Sequence, residues 1–252
     1  MDNWGFIGFG EVGTRFARAV LEHSGKVRVF VRKPDAVLDR DIEVCGSIAE
    51  LVRASDMVVS CVWPGAAVEV AKQAAMAEAP ALYLDVNNVG IPACNAMEQT
   101  LGLAFHKGAV LAPVARHGAQ APMLVAGPRA DELTQALNAH GFKARSVGSK
   151  PAQSAAIKIL RNLVTKCIVA PLADLLAAAE YYGISDEVLA SAGEFLSAEP
   201  FPELARMLMI QSKTHARRLA EEMDEVAEAL VTAGVSDRVP LLAKQVFQEM
   251  ED

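Results

Sequence analysis

The feature that most constrains this chain is the run Gly8-Phe9-Gly10-Glu11-Val12-Gly13, which directly follows an apolar stretch near the N-terminus. Alone, G-x-G-x-x-G is weak, because glycines recur by chance in loops. Between an apolar strand and an amphipathic helix it becomes the turn of a phosphate-binding βαβ unit. Gly8 permits the tight turn, Gly10 lets backbone approach a pyrophosphate, and Gly13 lets helix and strand pack closely. The N–H groups that open the helix are then free to hold phosphate oxygens. Phe9, Glu11 and Val12 belong to the same turn and are expected to border the same dinucleotide.

The spacing that follows agrees with this start. Apolar runs at 4–8, 27–31, 57–62 and 82–86 predict strands covered on both faces, while 12–22, 48–54 and 66–77 carry helical spacing. Further strands are predicted at 109–111, 123–126 and 144–147, with a helix over 130–139. Such alternation implies an α/β fold with a doubly wound, mostly parallel sheet. Beyond Gly148 the strand signals stop. From Ala152 the chain is helix-forming, with stops at Gly183 and Gly234 and breaks at Pro200, Pro202 and Pro240. The reading is a Rossmann domain over 1–149 and an all-α domain over 150–252 for substrate binding and dimerisation. A helical piece that small struggles to bury its apolar surface alone.

The end of the second strand bears on the choice of cofactor. NAD sites usually place an Asp or Glu there to bond the ribose 2′-hydroxyl. Here the chain reads Val31-Arg32-Lys33-Pro34. Arg32 and Lys33 suit a 2′-phosphate, so NADP (NADPH) is the predicted cofactor; the alternative is a pair of solvated loop cations. Ser60-Cys61-Val62-Trp63-Pro64 ends the next strand and Asp85-Val86-Asn87-Asn88 the one after. Ligands sit outside the carboxyl ends of such strands. Cys61, Val62, Trp63 and Asn87 are therefore predicted to border the nicotinamide, and Asn88 the substrate; two adjacent asparagines are equally good turn formers.

Composition excludes several other functions. A net charge of -7 with no basic stripe argues against a nucleic-acid partner. Cys45, Cys61, Cys94 and Cys167 are widely spaced, with no C-x-x-C pair and no clustered histidine. Neither a metal site nor a disulfide framework is expected, and a reducing, cytoplasmic setting is the simplest reading. The first residues, Met1-Asp2-Asn3-Trp4, lack the basic start of a signal peptide. The apolar stretch 163–179 is interrupted by Lys166, Pro171 and Asp174. It is read as a buried helix rather than a membrane span, so no membrane partner is expected.

Past the sheet, Ser154, Lys158, Asn162 and Thr165 fall on one face of a predicted helix. Periodicity alone makes Lys158 a solvated helix residue. The glycine turn, the Arg32-bearing second turn, Asp85-Val86-Asn87-Asn88 and Lys158-Ile159-Leu160-Arg161-Asn162 occur in an order that resembles the β-hydroxyacid dehydrogenase superfamily. That superfamily includes 3-hydroxyisobutyrate and 6-phosphogluconate dehydrogenases. The resemblance is closest to a branch with a phosphogluconate-dehydrogenase-like C-terminal domain, and it covers nearly the whole chain. It implies hydride transfer between the nicotinamide and a small 3-hydroxy acid or its keto form. Lys158 and Asn162, matching the family's K-x-x-x-N, would be the acid/base and its orienting partner. Homodimers are common in the family.

Two departures bear on substrate. Where many members carry a Ser-Gly-Gly loop after a strand, this chain reads Pro113-Val114-Ala115-Arg116-His117-Gly118. Arg116 and His117 are either substitute carboxylate anchors or part of a surface loop. A late Lys-Asp pair of the family corresponds to Glu221-Glu222. Imine reductases resemble the same scaffold but often carry Asp or Tyr in place of the lysine. C=N reduction is thus the alternative chemistry, and a non-catalytic dinucleotide-binding protein the alternative from outside enzymology.

Overall fold

The computed structural model describes residues 1–32, 40–77 and 81–251, so Lys33 lies outside the described residues. The chain packs as two compact units, Met1–Arg161 and Asn162–Asp252.

The first unit is built on an eight-stranded sheet. Its strands are β1 (Asn3–Ile7), β2 (Lys26–Phe30), β3 (Ile42–Val44), β4 (Met57–Ser60), β5 (Tyr83–Asp85), β6 (Phe105–Val110), β7 (Met123–Ala126) and β8 (Ala144–Ser146). Their order is β3-β2-β1-β4-β5-β6-β7-β8. Every pairing is parallel except β6 with β7, which is antiparallel. The order reverses between β1 and β4, and the crevice above that reversal is where such sheets take ligands.

Helices cover both faces: α1 (Glu11–Glu22), α2 (Ile48–Arg53), α3 (Ala67–Met76), α4 (Ile91–Leu101), α5 (Val114–His117) and α6 (Ala130–Ala139). Trp4, Phe6, Phe16, Val20 and Leu133 fill the core on one side. Ile7, Leu51, Val58, Ala71, Met97 and Phe105 fill the core on the other. Large apolar residues alternating along one strand thus feed two separate cores, which is why these strands read as continuous apolar runs.

The Rossmann architecture matches the expectation, and the local misses have physical causes. The edge strand β3 buries only Ile42 of its three residues, so it leaves little hydrophobic signal. Helix α4 carries Pro92 in its first turn, which reads as a breaker but is favourable where the N–H needs no partner. β6 begins at Phe105 rather than at 109, because His106 and Lys107 are buried inside the strand instead of ending it.

Helix α7 (Ala152–Thr165) begins just after Ser149, the expected junction. Its stretch up to Arg161 packs as part of the sheet unit. The second unit continues with α8 (Val169–Tyr182), α9 (Ser185–Ser197), α10 (Phe201–Thr214), α11 (Ala216–Thr232) and α12 (Arg238–Glu251). Gly183 and Gly234 stop α8 and α11 with φ of 71° and 74°, a left-handed backbone that glycine adopts without strain. Ala216, Ala220, Ala227 and Leu230 form the buried stripe of α11.

The stretch 163–179 departs from expectation. Leu163, Val169 and Leu176 are 68%, 61% and 43% exposed, and of α8 only Ala178 and Ala179 are buried. The expectation of a buried helix is overturned. Apolarity states that a surface needs cover and does not state that the cover comes from the same chain. By length and composition the continuous helical stretch Ala152–Tyr182 could also cross a membrane.

Candidate active site

The glycine turn has the shape its sequence requires. Gly8 has φ +95°, and a Cβ there would lie 2.4 Å from the Cys61 carbonyl oxygen. A Cβ on Gly13 would meet the Gly8 carbonyl oxygen at 2.5 Å and the Cys61 sulfur at 2.9 Å. A Cβ on Gly10 would meet nothing within 4 Å, so that position opens onto free space. Two glycines therefore close the turn upon itself, and the third leaves room for a ligand beside the N-terminus of α1. The turn is anchored on two sides. Gly8 N–H donates to the Phe30 carbonyl at 3.0 Å, and the Cys61 thiol donates to the Gly8 carbonyl at 3.0 Å. Burial, reinforced by the nearby Asp85 charge, pushes the Cys61 thiol up to about 12, so it serves as a neutral packing group.

A cavity of about 720 Å³ lies over the carboxyl ends of β1, β2 and β4. Phe9, Glu11, Val12, Arg32, Val62 and Trp63 all stand on its wall, as does Cys61. Trp63 is 79% exposed at the rim. A second cavity of about 280 Å³ shares Val12, Cys61, Val62 and Pro64 with the first and adds Asn87, Asn88, Val110, Val114 and Lys158. The two are adjacent, with the glycine turn on the wall of the larger and Lys158 on the wall of the smaller.

Helix α7 is fixed to the sheet on both sides of this lysine. The buried Ser154 hydroxyl donates to the Lys107 carbonyl at 2.8 Å, and Arg161 Nη2 donates to the Leu111 carbonyl at 3.1 Å. Lys158, half-buried, is thereby held at the cleft wall together with Asn87.

Asn162 lies one helical turn beyond Lys158, in the second unit. Arg116 and His117 are not brought to the cleft. Val114 turns inward from the short α5, and Arg116 and His117 in its last turn are exposed and on neither cavity wall. Among the described residues no group of three or more His, Cys, Asp or Glu is arranged to hold a metal.

Sequence reasoning missed Lys107. It is 2% exposed, and its ammonium lies 2.8 Å from Oδ2 of the fully buried Asp85. The available signal was a lone lysine inside the strand-forming run Phe105-His106-Lys107-Gly108-Ala109-Val110. A buried lysine needs a partner.

Comparison with known proteins agrees with this arrangement. Residues 3–122 match the family described as the NAD binding domain of 6-phosphogluconate dehydrogenase, and residues 179–250 match a domain of unknown function, DUF1932. These matches support the superfamily of 3-hydroxyacid and 6-phosphogluconate dehydrogenases. An uncharacterized 28.5 kDa protein of Methanothermus fervidus is 27% identical over 98% of both chains. The solved structure of MTH1747, a conserved protein of unknown function reported as similar to 3-hydroxyacid dehydrogenases, is 27% identical with a TM-score of 0.69. It covers 98% of this chain and 97% of its own. An imine reductase from Aspergillus terreus, solved with NADPH4 and dibenz[c,e]azepine, superposes with a TM-score of 0.81. At 17% identity over 99% of this chain and 93% of that one, it shares the fold. The protein is thus a dinucleotide-binding member of a dehydrogenase and reductase family.

Proposed function

We propose that the protein is an NADP-dependent oxidoreductase moving hydride between the nicotinamide and the hydroxyl-bearing carbon of a small 3-hydroxy acid, or its keto or semialdehyde form. The observation that supports this reading is the adjacency of the two cavities. The cavity lined by the glycine turn shares Val12, Cys61, Val62 and Pro64 with the one that bears Lys158.

The bound cofactor supplies the hydride acceptor or donor. The chain supplies position and proton. The Gly8–Gly13 turn and the N-terminus of α1 hold the phosphates, and Arg32 on the cavity wall suits a 2′-phosphate. Val110 and Val114 give the inner end an apolar lining that limits water around the reacting carbon. In the oxidative direction Lys158 Nζ takes the hydroxyl proton as the C–H bond yields its electron pair. In reduction it returns that proton to the carbonyl oxygen. Asn162 would orient the lysine from one turn along α7. The fold shared with imine reductases supports C=N reduction as the second reading, and Lys158 favours the alcohol chemistry.

We further propose a cytoplasmic homodimer in which a second copy covers the exposed apolar helices. A membrane span suits the chain less well. The first turns of α7 are tied to the sheet at Ser154 and Arg161. The apolar stretch that remains carries Lys166, Asp174 and Glu180, each costly in hydrocarbon.

The test is a panel of 3-hydroxy acids, aldehydes and cyclic imines followed by NADPH absorbance, repeated with Lys158→Met. Methionine fits the helix and fills similar space, so fold and NADPH affinity should survive. Turnover should fall by about 10²–10⁴. A variant that binds NADPH and turns over at the parent rate would remove the lysine from the mechanism. Binding without turnover on any substrate would favour a non-catalytic dinucleotide-binding role.

A further inference from the structure

A buried polar cluster lies beneath the wall that bears Asn87, and the phosphate and proton chemistry above leaves it unused. Lys107 Nζ donates to three backbone carbonyls, those of Asn87 at 2.7 Å, Gly108 at 3.0 Å and Asp85 at 3.1 Å. Its three protons are then spent. The Asp85 carboxylate, 2.8 Å away, takes the charge of the ammonium, while its Oδ2 accepts no hydrogen bond among the described residues. Burying such a pair costs several kcal/mol per ion before attraction repays it. Replacing such a pair by apolar residues of similar volume is often neutral or stabilising.

The consequence of the pair lies one step outward. Asp85 Oδ1 accepts from Asn87 Nδ2, and the same nitrogen donates to Ser60 Oγ at 3.0 Å. A carboxylate can only accept, so the amide atom that faces it must be the nitrogen; the flipped amide would set two acceptors together. With both N–H donors turned inward, the Asn87 side chain keeps one polar atom, Oδ1, that makes no hydrogen bond among the described residues. The residue is 7% exposed and forms part of the cavity wall that also carries Lys158.

We infer that Asp85 and Lys107 are positioning residues that lock Asn87 as an obligate hydrogen-bond acceptor for the carboxamide N–H of the nicotinamide. This rests on the reading that the nicotinamide end enters the smaller cavity. In that reading the one mobile proton of the substrate goes to Lys158. The carboxamide is then the donor left in the cleft for Asn87 to receive. Lys107 holds the Asn87 main chain and Asp85 holds its side chain, so one pair fixes both the place and the polarity of the contact.

The test compares binding of the oxidised cofactor with its 3-acetylpyridine analogue, in which a methyl ketone replaces the carboxamide and no N–H remains. The phosphorylated and unphosphorylated series are titrated alike by calorimetry. The parent protein should prefer the carboxamide form about three- to tenfold, the worth of one neutral hydrogen bond. Asn87→Ala should bring the ratio to about one. The isosteric Asp85→Asn lets residue 85 donate, so the Asn87 amide can turn and present its N–H groups. There the preference should vanish or reverse toward the ketone. The readout is a ratio within each variant, so a general loss of stability does not mimic it. Parent protein that binds both dinucleotides tightly without preference overturns the proposal alone, as does Asn87→Ala with the parent ratio. Parent protein that binds neither overturns the cofactor reading and the proposal with it.

Discussion

The two units handle apolar surface in opposite ways. In the sheet unit Trp4, Phe6, Phe16, Tyr83 and Phe105 are all 1% exposed or less. In the helical unit Leu163, Val169, Ile210 and Leu242 are 61–68% exposed. At about 1.5–3 kcal/mol for each large apolar side chain taken out of water, the first unit stabilises itself. The second leaves much of that apolar surface exposed. The difference teaches that one sequence can encode a finished core and an unfinished one side by side. The finished part carries the cleft walls that hold Lys158 and Asn87.

Thiol chemistry gives the largest expected contrast between the units. Burial raises the Cys45 thiol, and it pushes Cys94 up to about 11 and Cys61 up to about 12. Cys167, in the helical unit, is exposed. At pH 8 the thiolate fraction of a group titrating near 12 is about 10⁻⁴, and thiolate is the reactive species. In the dissociated chain iodoacetamide should therefore modify Cys167 first, with Cys61 and Cys94 slower by a factor of about 10² or more until the protein unfolds. Peptide mass spectrometry over time checks this; rapid labelling of Cys61 would mean that the glycine turn is open. The same shifts fix a pH dependence. The folded state holds these protons more tightly than the unfolded chain, so stability from them is complete below about pH 8.5 and declines as pH rises toward 12.

Legibility in the sequence followed the same division. The glycine turn was readable because its chemistry lies in the backbone, and backbone that must turn tightly and admit a ligand leaves glycines at fixed spacing. Lys158 was readable as a position on a helix face, and its role came from resemblance. The Asp85–Lys107 pair was not readable, since its members stand 22 residues apart and meet only because β5 and β6 are neighbours. For Arg116 and His117 the sequence left two readings open, because it does not give the direction in which α5 points them. The exposed 163–179 stretch was misread because hydropathy is blind to which polypeptide supplies the cover.

The unfinished core can be tested at Leu163. It is 68% exposed, so Leu163→Glu should cost the isolated chain little and leave its helical content unchanged. In a homodimer that covers this face, each copy would bury an unpaired carboxylate where it had buried a leucine. Sedimentation should show dimer association weakened about 100-fold, since the two copies lose the contact together. A variant that stays dimeric at the parent concentration places the interface elsewhere. Dinucleotide affinity should not change, because the cleft walls belong to the sheet unit.

Arg32 supplies the reciprocal test and the smallest effect. It is exposed on the cavity wall at the end of β2, where a 2′-phosphate would meet a guanidinium still in contact with water. Solvent reduces a charge-assisted bond from its buried worth of about 1.5–3 kcal/mol to roughly half. Glu69 lines the same cavity and further limits how much negative charge is welcome there. Arg32→Ser should therefore weaken NADPH binding about tenfold and leave NADH binding within a factor of two, with no change in oligomeric state. Equal losses for the two cofactors would show that Arg32 stacks on adenine, which both share, rather than reading the phosphate. Together with Leu163→Glu the experiment separates the units. One substitution moves cofactor choice without association, and the other moves association without cofactor choice. A cross-effect in either direction would show that the cleft depends on the partner copy as well as on its own sheet.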